Sequence, residues 1–393
     1  MSKLRSAHSQ TIDSSLSTPE SLFRQRYVET LRFGTPDRIP LMPGEPREST
    51  LKAWHAQGLP PGADWWEELL KIIGLPPMSR GLEWLPVSFR MIPEFDEKVL
   101  EHRDGHYVVQ DWMGAIVEIS DSYDLTYLRL PRDFVTRKWH KFPVETRTDW
   151  KRMQARFRAD TRGRAAVDLA ELGERVRTTG AAATVQVNGP FWQLREWCGF
   201  ENLCTLFLED PGFVREMIAF WTEFVSRVLA LLLRHVPLSR LGISEDMAFK
   251  AHSMISPAMS REFLLPAYSR WTAQVREAGC PIIDMDSDGY IGDLIPVWID
   301  AGINVCDPME VAAHNDIVES RRRFGRGMGY TGGVDKREMA AGGERLEAEL
   351  ARLAPVIRGG GYLPGCDHGV PPDVSWPNFV EYARHLALLT GWL

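Results

Sequence analysis

The chain has 393 residues, 44% hydrophobic and 25% charged, with 46 basic against 53 acidic side chains and a formal charge of −7. Length and composition are those of an ordinary globular protein with one large core or two smaller ones. The mild negative charge, with no basic stripe, argues against a nucleic-acid binder, and the absence of any apolar run of about eighteen residues argues against a membrane span.

Residues 1–18 are polar and Ser/Thr-rich, lack the apolar centre of a secretory signal, and are expected to form a disordered tail. A helix is expected from Pro19 to Arg32, capped by Ser17 or Thr18 with Glu20 in its first turn. A short strand follows over Asp37–Pro43, then a helix over 62–74 closed by Gly74. From about 85 to 150 the chain becomes β-rich and aromatic. The stretch 107–119 reads as a hairpin turning near Met113-Gly114, an insertion lying over one end of the main domain.

Beyond residue 150 a rhythm sets in. Helices expected over 159–178, 209–235, 257–279, 291–301, 313–323 and 337–357 each lead to a short apolar strand, and a helix over 376–390 follows the last. Arg321, Arg322 and Arg323 fall on a solvated helix face. Such alternation indicates a parallel sheet with helical crossovers. The six units and the strand near residue 40 approach a (β/α)8 TIM barrel with an N-terminal helical extension, one domain over 19–393. An open doubly wound sheet is the alternative, although its Gly-rich phosphate fingerprint is missing. Five scattered cysteines form no disulfide framework and suit a reducing cytoplasm.

Parallel barrels carry their active sites at the C-terminal ends of the strands. Those ends hold Asn188; Glu245 and Asp246; Asp284, Asp286 and Asp288; Asp307; Thr331 and Asp335; and Cys366, Asp367 and His368. Capping or turn formation competes with function at Asp307 and Asp335, and Asn188 suits a structural or a substrate-contacting role. Asp284, Asp286 and Asp288 place three carboxylates in five residues, all on one side in strand geometry. Like charges so close raise one another's pKa unless a cation compensates, and a metal is one such cation. Cys366 and His368 are softer ligands of the kind zinc accepts, and Glu245 would complete a tetrahedral set. The alternative is a solvated, capped loop beside an inert buried thiol. Of 14 tryptophans, Trp112, Trp192 and Trp197 fall in or near the expected loops, where one or two would wall a flat substrate.

Residues 24–42, Arg-Gln-Arg-Tyr-Val-Glu-Thr-Leu-Arg-Phe-Gly-Thr-Pro-Asp-Arg-Ile-Pro-Leu-Met, resemble the opening of the uroporphyrinogen decarboxylase superfamily. Ser244-Glu-Asp-Met-Ala, Ile255-Ser-Pro, Ser287-Asp-Gly, Gly332-Gly-Val-Asp and Gly360-Gly-Tyr-Leu-Pro-Gly-Cys-Asp-His-Gly agree with it, so that the resemblance runs from about residue 20 onward. It implies a (β/α)8 barrel. The porphyrinogen decarboxylases carry Arg-Gln-Ala-Gly-Arg after the first strand. This chain has Met42-Pro-Gly-Glu-Pro-Arg-Glu-Ser there, in which only Arg47 echoes the motif. The resemblance therefore points to the other branch, the corrinoid-dependent methyltransferases.

In the coenzyme M-type members zinc is held by His-x-Cys-Gly and by a Cys in Pro-Gly-Cys. Pro364-Gly365-Cys366 matches the second element, and Asp286-Ser287-Asp288-Gly289 replaces the first. A carboxylate-rich zinc site is a harder Lewis acid, suited to an ether oxygen, as in the O-demethylase systems. The expectation is thus a methyltransferase that moves a methyl group from a small methoxylated, aromatic substrate to a corrinoid (cobalamin-type) cofactor on a partner protein. Glu245, Asp288 and Cys366 would hold zinc, with Asp286 or His368 as a further ligand or support. Asp246, Asp286 and His368 are the expected catalytic residues, and His252 is a further candidate proton donor. Trp112, Asn188, Trp192, His252 and Tyr330 are the expected substrate contacts. Two alternatives are carried: a metal-independent decarboxylase or lyase with Asp286 or Asp288 as proton donor, and a non-catalytic corrinoid- or tetrapyrrole-binding barrel.

Overall fold

The computed structural model describes residues 18–130, 133 and 135–393, so the tail expected over 1–18 lies, but for Thr18, outside the described residues. Helix α1 (Pro19–Leu31) begins where expected. Thr18 accepts the Ser21 N–H at 3.0 Å, and Pro19, which has no N–H to leave unpaired, opens the first turn. α2 (Glu48–Ala56), absent from the expectation, follows, and then α3 (Trp65–Ile73), capped by Asp64 and closed by a left-handed Gly74.

After the two-residue β1 (Glu83–Trp84) comes the insertion. Here β2 (Lys98–Arg103), β3 (His106–Gln110), β4 (Ile116–Ser120) and β5 (Lys138–Lys141) form an antiparallel sheet in that order. The hairpin turns at 111–115, where Asp111 accepts the Met113 and Ala115 N–H groups. The sheet has a small core of its own, Val109, Ala115, Val117, Ile119 and Leu128.

The remaining elements are α4 (Arg147–Gln154), α5 (Leu169–Thr179), β6 (Ala183–Asn188), α6 (Pro190–Cys198), α7 (Phe200–Glu209), α8 (Pro211–Leu233), β7 (Arg240–Ser244), α9 (Pro257–Met259), α10 (Leu265–Glu277), β8 (Ile282–Asp286), α11 (Ile295–Ala301), β9 (Val305–Asp307), α12 (Ile317–Phe324), β10 (Gly329–Val334), α13 (Lys336–Ala341), α14 (Gly343–Arg358), β11 (Tyr362–Cys366) and α15 (Trp376–Thr390). The helix expected over 159–178 starts ten residues late, because Asp168 caps it through Ala170 and Glu171. α9 and α10 are joined by a π-helical turn at Ser260–Leu264 within the helix expected over 257–279. The helix expected over 337–357 breaks at Gly342, where φ is +65°.

Seven parallel strands form one curled sheet, in the order β1-β6-β7-β8-β9-β10-β11. The strand expected over 37–43 is not one: Pro40, Pro43 and Pro46 cannot donate to a ladder. The segment nevertheless runs beside β11. Cys366 N–H donates to Pro43 O at 3.0 Å, Val370 N–H to Glu45 O at 2.9 Å, and Pro46 bridges Val370 in parallel sense. Gly44 permits this approach, for a Cβ there would lie 2.8 Å from Cys366 Cβ. At the opposite, N-terminal pole, Phe23, Tyr27 and Leu31 of α1 pack on Ala182, Ile282, Val305 and Leu363 and plug the sheet from below. Among the described residues no helix is long and apolar enough to cross a membrane.

Candidate active site

Strand register assembles the site. Asn188, Ser244, Asp286 and Asp307 are successive partners across β6, β7, β8 and β9, so four adjacent strand ends present one polar row. Two residues earlier on β8, Asp284 faces the same way. These groups line a cavity of about 830 Å³. Asp246, Asp288, Cys366, His368 and Trp192 close its upper wall, and Trp84 on β1, 60% exposed, stands in it with the Arg240 guanidinium 5.7 Å from its ring centroid.

The crowded carboxylates are not left to one another. Asp284, 1% exposed, receives Arg240 Nη2 at 2.6 Å and Nε at 2.9 Å, a fork-like pair from the neighbouring strand. Asp288 receives His368 Nε2 at 3.2 Å. Gly369 N–H at 2.7 Å and Arg47 Nη2 at 3.2 Å both point at His368 Nδ1. Two donors on Nδ1 favour the Nε2–H tautomer, which donates a hydrogen bond to Asp288. Asp288 pulls the imidazole pKa upward, against the lowering effects of burial and of Lys336 and Arg47.

Asp286 has no such cation. Its Oδ2 accepts Gln186 Nε2 at 3.0 Å and Ser244 Oγ at 3.0 Å. Burial first, then repulsion from Asp307, Asp284 and Asp288, pushes it up to about 8. Asp307, which accepts the Thr331 hydroxyl, is raised to about 6 by burial and Asp284. Asp246 sits in a left-handed conformation (φ 46°), accepts the Asp288 N–H at 3.1 Å and is raised by burial and by Asp288. Burial and the neighbouring carboxylates thus favour the protonated form of Asp286.

Other expected residues lie elsewhere. Glu245 is fully buried and turned beneath α6, where it accepts Trp192 N–H at 2.8 Å, Phe191 N–H at 3.3 Å and the Tyr268 hydroxyl. It caps a helix whose own N-cap, Gly189, has no side chain, and a Cβ on Gly189 would come within 2.1 Å of its carboxyl carbon. Cys366 does line the cavity, but burial pushes its thiol up to about 12, so it is a thiol rather than a thiolate. Among the described residues no three His, Cys, Asp or Glu side chains meet in a group that could hold a metal ion. The expected zinc set of Glu245, Asp288 and Cys366 is not assembled, and the residues do not fit the ion. Tyr330 is also misplaced: it is buried on the outer face of β10, its hydroxyl on Ser320 O at 3.1 Å, while its neighbour Thr331 faces inward. His252 is exposed on the loop after β7 and lines neither this cavity nor the adjoining one. Trp112 lines the adjoining cavity, and Asn188 lines both.

Sequence reasoning missed Arg240, Gln186, Ser244 and Trp84, and weighed Asp307 as a cap or turn residue. For Arg240 the signal was present: a charged residue opening an apolar strand next in the sheet to Asp284 is the cation that the carboxylate cluster requires.

The sequence model of the family described as Uroporphyrinogen decarboxylase (URO-D) matches residues 140–384. A curated uroporphyrinogen decarboxylase of Nocardia farcinica (strain IFM 10152) is 30% identical over 127 residues, 31% of this chain and 34% of that protein, so the match spans about a third of the relative. In fold the chain is similar to a methyltransferase from Methanosarcina mazei, with a TM-score of 0.55 at 12% identity over 95% of this chain and 98% of that one. The chain belongs to the uroporphyrinogen decarboxylase family.

Proposed function

We propose that this family member is a methyltransferase that takes the methyl group of an uncharged methoxylated aromatic substrate and passes it to the reduced corrinoid of a partner protein, with Asp286 as the acid. The observation that carries the reading is the placement of Asp286, buried beside Asp284, Asp288 and Asp307 and held by the neutral donors Gln186 and Ser244, a setting that favours its protonated form. When the methyl–oxygen bond breaks, the electron pair stays on oxygen and the methyl group goes to the nucleophile. The departing phenolate is neutralised by a proton, which Asp286 is placed to supply. Gln186 and Ser244 fix the carboxyl by holding Oδ2. Trp84 and Trp192 offer flat walls to the ring. No step is routed through zinc, because its ligands do not come together. The same reading takes the segment 41–46 as the eighth stave of a closed barrel.

The charge of the cavity sets this reading against porphyrinogen decarboxylation. Its lining carries Glu45 and five aspartates, whereas its two arginines are engaged, Arg240 with Asp284 and Arg80 with Asp64. A polycarboxylate would meet repulsion where it needs guanidinium groups. The test is incubation with methoxyarenes and a reduced corrinoid protein, following the spectrum of the methylated cobalt. Formation that depends on enzyme and on the methoxy group is the expected result. Carbon dioxide release from an acid substrate without any corrinoid would overturn it in favour of a decarboxylase.

A further inference from the structure

Asn188, at the end of β6, lines two cavities. One is the cavity that holds Asp286. The other, of about 630 Å³ and walled by Trp112, Trp197 and Trp221, adjoins it there. Asn188 shares the inward row of Ser244 and Asp286, so its side chain faces the interior of the sheet. The amide nitrogen is engaged: Nδ2 donates to Gln193 Oε1 at 3.2 Å and to Glu196 Oε2 at 3.1 Å. The amide oxygen is not. Among the described residues Oδ1 accepts no hydrogen bond, and it is not one of the buried unpaired atoms, so solvent reaches it.

An amide can turn over, exchanging donor for acceptor with almost no change of shape. Glu196 prevents this at Asn188. Trp192 Nε1, which can only donate, takes Glu196 Oε1 at 2.7 Å and leaves the other carboxylate oxygen to Asn188. Gln193, 5% exposed, donates to that same Oε2 at 3.2 Å. An ionised carboxylate only accepts. Turning Asn188 over would set its oxygen against Glu196 Oε2 and Gln193 Oε1, acceptor against acceptor. Glu196 therefore keeps the amide nitrogen to itself and the oxygen towards the cavities. Trp192 lines the first cavity, so one carboxylate holds both an aromatic wall and the polar group near it.

We propose that Glu196 is a specificity-determining residue: by orienting Asn188 it presents a hydrogen-bond acceptor where the cavities meet, and so selects an aromatic ligand that carries a hydroxyl or N–H group there. As a statement about the substrate this rests on the methyl-transfer reading, in which the ring lies against Trp84 and Trp192. The test uses neither a methyl donor nor a corrinoid, so the two can fail separately. Indole, which only donates, and quinoline, which only accepts, are neutral bicyclic probes of similar size. They are compared by calorimetric titration of the full chain at about pH 8.5, where Glu196, raised to about 7 by burial, is ionised. Indole is expected to bind the wild type about five- to tenfold tighter, the scale of one hydrogen bond. Glu196→Gln places an amide nitrogen where a carboxylate oxygen stood, which turns Asn188 and Gln193 over, and quinoline should then bind tighter than indole. Simple loosening of α6 would not invert the order. Asn188→Leu should make the two probes equal. Equal affinities in the wild type, or binding of neither probe, overturn the proposal even if a variant fails to fold. So does an unchanged preference for indole in folded Glu196→Gln or Asn188→Leu.

Discussion

At the scale of single residues, the site turns on which carboxylates find a cation. Asp284 has the Arg240 cation and Asp288 the His368 Nε2–H, whereas Asp286 has the neutral donors Gln186 and Ser244 among neighbouring carboxylates, which favours its protonated form. If Asp286 is the acid, Asp286→Asn should lower methyl transfer by about 10²–10⁴-fold while leaving substrate binding nearly unchanged. The wild-type rate should be full on the acid side and fall as pH rises through about 8, where the proton leaves. A pH–rate profile flat from 6 to 9 would remove Asp286 from that role. The cluster was legible in sequence as three carboxylates needing compensation, but not the compensator, because Arg240 comes from the neighbouring strand and only register brings it to Asp284. Parity explains Tyr330 in the same way: on β10 a shift of one residue exchanges the cavity face for the helix face, and Thr331 holds the inward position.

At the scale of elements, two buried polar contacts tie neighbouring parts of the sheet and its helices together. Arg240 and Asp284 join β7 to β8 with 6% and 1% of their side chains exposed. Arg240→Met should destabilise the fold by about 3–5 kcal/mol, since it strands Asp284 without a partner. Urea unfolding would measure this, and the double variant Arg240→Met/Asp284→Leu should recover much of the loss. Glu245 plays a similar part at the start of α6. Glu245→Ala should cost about 1–3 kcal/mol, because the buried Trp192 N–H and the Tyr268 hydroxyl lose their acceptor, whereas Glu245→Gln, which keeps an acceptor oxygen, should cost less. A stability equal to wild type in Glu245→Ala would mean that this carboxylate is not structural. The repeating units after residue 150 were legible because apolar strands and capped amphipathic helices carry distinct periods. α2, α6 and α7 were not: they are short, and α6 takes its cap from Glu245, more than fifty residues away. The segment 37–43 misled because its apolar residues are strand-like while its prolines forbid the ladder.

At the scale of the whole molecule, the strand ends and α6 concentrate groups that keep protons longer when folded than when unfolded. Burial is the first cause of the upward shift at Asp286, Asp307, Asp246, Glu245 and Glu196. Each therefore contributes stability that is fully present below about pH 4, the range of an unfolded carboxylate, and is lost as pH rises through the folded value. For Glu245 and Glu196 that value is about 7, for Asp307 about 6 and for Asp286 about 8. His368 acts in the same direction, its pKa being raised chiefly by Asp288. Surface carboxylates such as Asp37, Asp149 and Asp210 are lowered by their hydrogen bonds and act oppositely, but they are solvent-screened and lose their contribution only in acid. The sum places maximal stability on the acid side of neutrality, near pH 5 on the reference carboxylate scale. The melting temperature should accordingly fall between pH 5 and 8, and Asp286→Asn, which cannot ionise, should flatten the upper part of that fall. A melting temperature that rises across this range would mean that the folded protein holds these carboxylates ionised, and the acid assigned to the site would have no proton to give.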